Sequence, residues 1–147
     1  MQGSESFRRY RHLATVNAFL VLASGWGCAP MQTTAVVVEP GVAFTLAPGQ
    51  TATVRRADAR VTFREVREDS RCPVDVQCVW AGDAKVEVTI ARTGAPTETK
   101  TLSITPPENE VQTGNMKLRF VGLTPMPRQA DGDVPRNYLA EFIAEQL

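Results

Sequence analysis

From residue 36 onward, apolar and polar positions alternate with a period of two. Val61 and Phe63 alternate with Arg60, Thr62 and Arg64; Val86, Val88 and Ile90 with Lys85, Glu87 and Thr89; Met116, Leu118 and Phe120 with Lys117 and Arg119. Each run is the pattern of a strand with one face on a core and the other in water. Shorter strands are predicted over 36–38, 43–46, 51–55 and 99–104. Turn formers separate them at Pro48-Gly49, Ala57-Asp58, Thr93-Gly94-Ala95-Pro96, Pro106-Pro107 and Thr113-Gly114-Asn115. With no amphipathic helix between them, these strands predict an all-β fold: a single antiparallel β-sandwich, immunoglobulin-like or related, of about seven to eight strands.

Two slips in phase, between Phe63 and Val66 and between Phe120 and Val121, predict a β-bulge in each strand. Residues 137–147 fit two periods. A strand places Tyr138, Ala140, Phe142 and Ala144 on one face, and a helix gathers Leu139, Phe142, Ile143 and Leu147. The strand is preferred because a sandwich usually finishes by pairing its last segment. Residues 123–135 before it, rich in Pro, Gly and Asp, read as a long surface loop.

The N-terminus follows a different logic. Arg8, Arg9 and Arg11 precede an apolar run from Leu13 to Ala23, and Ser24, Gly25 and Gly27 lead to Cys28. A basic segment, a short apolar core and a small-residue zone make a secretory signal peptide. The run is shorter than the ~20 residues of a spanning helix. The end of this segment resembles a lipobox, with Gly27 directly before Cys28, and departs from it at Gly25 and Trp26. The expected organisation is a signal peptide over 1–28, a tether over 29–35 and the β-sandwich over 36–147. Cys28 is then the lipidation site and the partner is a membrane held through that anchor. Ala29, where the known inner-membrane retention residue is Asp, points to the outer membrane. Cleavage elsewhere nearby gives instead a soluble periplasmic protein.

Charge and composition remove several classes. The whole chain balances 16 basic against 16 acidic residues. Without residues 1–28 it keeps 13 basic and 15 acidic, a net charge of −2. No basic stripe with interleaved aromatics is present, so no nucleic acid is expected as a partner. The one histidine, His12, lies in the signal segment. Beyond it, Ser-His-Asp and Cys-His chemistry lack their base, and no Gly-rich phosphate loop occurs. No enzyme activity and no cofactor are expected.

The most informative stretch is 69–84: Asp-Ser-Arg-Cys-Pro-Val-Asp-Val-Gln-Cys-Val-Trp-Ala-Gly-Asp-Ala. Cys72 and Cys78 enclose turn formers and are expected to close a small disulfide ring, which persists in oxidising compartments. Pro73 stiffens it, and the Asp69 and Ser70 side chains suit turn N–H groups. Trp80, two residues past Cys78, is expected to pack over the disulfide or into the end of the core. Redox chemistry is disfavoured because the spacing is wider than Cys-x-x-Cys, and zinc because too few ligands exist. Asp69, Asp75 and Asp83 match no calcium loop, so no metal is assigned. Asp69, Arg71, Asp75, Trp80 and Asp83 are the candidate ligand contacts.

This stretch resembles a pattern in small bacterial secreted proteins and lipoproteins of uncharacterised function, on residues 69–73 and 78–84. In that group it follows a strand like 59–63, a segment like 44–50 comes earlier, and a Tyr-initiated final strand like 138–143 comes last. The resemblance implies an exported β-domain, usually lipid-tethered, and carries no activity. The expected function is a non-catalytic cell-envelope lipoprotein acting as an interaction module. It would contact an envelope protein or glycan through the cysteine loop and the loop at 125–135. The alternative is a soluble periplasmic domain binding a cation or small ligand through the three aspartates.

Overall fold

The alternating segments become strands because each buries one row of side chains against a second sheet. The structure is a computed structural model and describes residues 35–131 and 136–147. The expected signal peptide, Cys28 and residues 29–34 of the tether lie outside the described residues. The strands are β1 (Val36–Val38), β2 (Ala43–Leu46), β3 (Thr51–Val54), β4 (Ala59–Asp69), β5 (Ala84–Arg92), β6 (Glu98–Ser103), β7 (Glu110–Thr113), β8 (Met116–Thr124) and β9 (Leu139–Gln146). They form one sheet in the order β1-β3-β4-β5-β6 and a second in the order β2-β9-β8-β7. The described residues form an all-β sandwich of nine strands, one or two more than expected.

The core lies between the sheets. Val61 and Phe63 of β4 and Val86, Val88 and Ile90 of β5 face Met116, Leu118 and Phe120 of β8 and Ala140, Phe142 and Ala144 of β9. Phe142 is at its centre. Its ring lies 6.0 Å from Phe44, 5.6 Å from Phe120 and 6.1 Å from Phe63 across the sandwich. The ambiguous C-terminal segment is a strand, held between β2 and β8 with Phe142 opposite both Phe44 and Phe120. On the outer face of the first sheet, Thr51, Thr62, Thr89 and Thr99 stand in register across four strands. Side-by-side threonines of this kind favour strand pairing.

Both expected bulges form. In β8 the register shifts between Phe120 and Gly122, which turns Leu123 inward. In β4 it shifts twice, between Phe63 and Glu65 and again between Val66 and Glu68. Val66, opposite buried Val86, thereby faces the core in place of Glu65 or Arg67. The second shift sets Asp69 opposite buried Ala84, so its side chain also points inward.

Two features depart from expectation. β1 pairs with β3 in parallel, not antiparallel. The turn after β1 sends β2 to the other sheet, so β3 returns to the first sheet running the same way as β1. β7 has no apolar alternation and was not expected. It pairs with β8 across the turn at Gly114-Asn115, turns Val111 onto the core, and buries Thr113, which donates to Glu98 Oε1 (2.7 Å) and accepts from Arg92 Nε (3.1 Å). These bonds fasten a polar edge strand to the neighbouring sheet.

Phe142→Ala removes the ring on which three others converge, and the expected loss is about 3–5 kcal/mol. Urea denaturation followed by far-UV circular dichroism measures it.

Candidate functional site

The cysteine loop, residues 70–83, leaves β4 and returns to β5 at one end of the sandwich. Its two arms first continue the ladder, with Ser70 N–H donating to Asp83 O and Cys72 N–H to Ala81 O, each at 2.8 Å. The arms approach so closely that a Cβ on Gly82 would lie 1.8 Å from Ser70 O, and Gly82 has φ +72°. Only glycine fits there. Beyond it, Cys72 and Cys78 are disulfide-bonded with their Cα atoms 5.9 Å apart. That separation lies in the ordinary range for a disulfide.

The element that orders this end is Arg71, which is 7% exposed. Its Nε donates to Asp69 Oδ1 at 2.7 Å and its Nη2 to Asp69 Oδ2 at 2.9 Å. This two-pronged geometry is the strong form of the arginine–carboxylate pair. The outer nitrogens then reach the loop between β8 and β9. Nη1 donates to Leu123 O and to Met126 Sδ, and Nη2 to Pro125 O at 2.9 Å. Tyr138, at the start of β9, donates its hydroxyl to Asp69 Oδ2 at 2.9 Å and accepts from Arg136 Nη1. A buried ion pair thus has its hydrogen-bonding capacity spent on three separate chain segments.

The two loops are laced further out. Val74 N–H donates to Pro127 O at 3.0 Å, and Gln129 N–H to Asp75 Oδ1 at 2.8 Å. Asp83 accepts at Oδ1 from Ser103 Oγ (2.7 Å) and Thr105 Oγ1 (3.2 Å), which fixes the return arm to the end of β6.

Electrostatics follow these contacts. Burial disfavours the charged form of Asp69, but the bonds from Arg71 and Tyr138 outweigh it and hold the carboxyl below its usual range. Asp75 is held low chiefly by the Gln129 N–H. Burial also opposes ionisation of Asp83, and the Ser103 hydroxyl and the Ala84 N–H overcome it.

The five candidate contacts therefore separate. Asp69 and Arg71 face inward and have no surface available to a ligand. Asp75 and Asp83 bind their own chain, and the three aspartates hold three different sets of partners. Among the described residues no three Asp, Glu, His or Cys side chains gather as a metal site would require. Trp80 corrects the expectation that it packs inward: it is 74% exposed. The end of the core beside Ala84 is already closed by Asp69, Arg71 and Tyr138, and Trp80 stands in solvent. Next to it Val79 is 92% exposed, and Val74, Val76, Met126 and Leu139 also present apolar surface at this end. Val79 and Tyr138 were not singled out as site residues. A signal for the buried pair was present in the spacing, since Asp and Arg two apart on an extended chain share a face.

No protein-family model, curated protein or solved structure matches this chain.

Arg71→Ala leaves the Asp69 carboxylate buried without its partner, and the expected loss is about 3–5 kcal/mol by urea denaturation at pH 7. The acid limb carries a second prediction. The folded pKa of Asp69 is depressed, so its stabilisation is complete above the unfolded value of about 3.9 and lost as pH falls through the lower folded value. Asp69→Asn is less stable than the parent at pH 7, and its stability falls less steeply below about pH 4. Unfolding free energies measured from pH 6 to pH 2 check this.

Proposed function

We propose that this protein is a non-catalytic interaction module of the bacterial cell envelope, tethered by lipid at Cys28. Its contact surface is the end formed by the cysteine loop and the loop between β8 and β9. The observation that carries the reading is Trp80: a large aromatic side chain, 74% exposed, on a loop fastened by a disulfide, a buried ion pair and cross-loop hydrogen bonds. A soluble domain rarely leaves an apolar cluster in water without a partner for it. Exposed tryptophans are enriched among the residues that dominate interfaces. Fixing the loop in advance lowers the ordering cost of association. The disulfide agrees with an exported location, as does the basic and apolar N-terminal segment ending at Cys28.

The alternative, cation binding through Asp69, Asp75 and Asp83, has less support. Each carboxylate is already engaged by hydrogen-bond donors of its own chain.

The test places a photo-crosslinking amino acid at position 80, and in a separate variant at position 42, in the native host. Val42 is also exposed but lies where β2 begins, at the opposite end of the sandwich. A discrete adduct from position 80 and none from position 42 is the expected result. Equal labelling from both, or none from either, overturns the reading. Trp80→Ala changes unfolding free energy by no more than about 0.5 kcal/mol, as for other surface substitutions, which separates loss of contact from loss of fold.

A further inference from the structure

We propose that the cysteine-loop end rests on a phospholipid surface, with Val79 and Trp80 seated at headgroup depth. This deepens the reading above by naming the partner, and it rests on that reading's choice of interaction end. Three independent observations carry it.

The first is where the apolar surface lies. Of the ten large apolar side chains exposed among the described residues, Val74, Val76, Val79, Trp80, Met126 and Leu139 are at this end. The sheet register fixes the assignment. β4 ends there at Asp69, opposite the start of β5 at Ala84, and Leu139 pairs with Thr124, the last residue of β8. The opposite end carries the turn with Arg55, Arg56 and Asp58, and of the ten only Val42 and Leu147 lie there.

The second is the direction from which the chain enters. β1 is parallel to β3 and so runs against β4, away from the cysteine loop. Ala35 therefore leads into β1 from the cysteine-loop side. Val36 is level with Ala52, Val61 and Ile90, six residues along β5 from Ala84. At about 3.3 Å per residue that is ~20 Å. Seven residue steps separate Cys28 from Ala35 and span at most ~25 Å. A chain of that length can cover the distance from the start of β1 to the level of Ala84, the base of the cysteine loop.

The third is the chemistry of the surface. Tryptophan prefers the interface between headgroups and acyl chains. Its neighbours here are aliphatic, as shallow insertion requires. A sugar platform would need polar groups aimed at hydroxyls beside the ring. Asp75 and Asp83, the nearby carboxylates, are instead bound to Gln129 N–H and to Ser103 and Thr105.

The experiment uses the mature protein beginning at lipidated Cys28, in which Trp80 is the sole tryptophan because Trp26 lies in the removed segment. It is reconstituted into phosphatidylethanolamine–phosphatidylglycerol vesicles, with and without lipid brominated near the headgroup end of the acyl chains, and the vesicle-bound fraction is read. Trp80 emission is expected to be quenched at least twofold by the brominated lipid. Val79→Glu, at a position with no packing to lose, is expected to remove most of that quenching, because burying one valine side chain is worth about tenfold in binding. Val42→Glu is expected to leave it unchanged, and matched melting curves show that both variants fold. Emission equal in the two vesicle types overturns the proposal. If quenching is absent but position 80 crosslinks to a protein or glycan in cells, the lipid surface is wrong and the interaction end stands. If both are absent, the reading of that end falls as well.

Discussion

Three chain segments meet at one end of this sandwich because a single guanidinium holds them. Arg71 binds Asp69 through two parallel hydrogen bonds and the carbonyls of Leu123 and Pro125 with its outer nitrogens. Tyr138 completes the carboxylate. A buried charge is tolerated only when paired and hydrogen-bonded. This pair is therefore a geometric demand as much as a source of stability: the end of β4, the loop after β8 and the start of β9 must all be in place for either charge to stay buried. The disulfide acts on a smaller scale, closing a ring whose position the ion pair has already fixed.

The pair reaches its place through irregularity. An unbroken strand would have turned Glu65 and Arg67 toward the core after Phe63. The two bulges of β4 insert Val66 there instead and still return Asp69 to the inner face. Because each bulge changes which side chains face in, the strand serves an apolar core along most of its length and a polar lock at its end. The bulge at Val121 does the same for β8, turning Leu123 inward and bringing its carbonyl within reach of Arg71.

With its end closed by polar groups, the core leaves no space for a tryptophan. Trp80 is held out on a fixed loop together with Val79, and six of the ten exposed large apolar side chains of the described domain lie at that end. β1 runs away from that end, so Ala35 enters the sheet from the same side.

The period-two alternation determined the sandwich, its core residues and the strand at 139–146, because burying one face imposes that period locally. The phase slips revealed the bulges for the same reason, and the cysteine spacing with its turn formers revealed the ring. Three things were decided only by the tertiary structure. β7 is largely polar, and its buried Thr113 is satisfied by residues of the other sheet. β1 is parallel to β3 because the strand between them changes sheets, which no local pattern records. The reversed roles of Arg71 and Trp80, the cation inside and the indole outside, depend on carbonyl acceptors 52 and 54 residues from Arg71 in sequence. Residue type alone predicts the opposite placement, since an arginine is buried only where distant acceptors have been assembled around it.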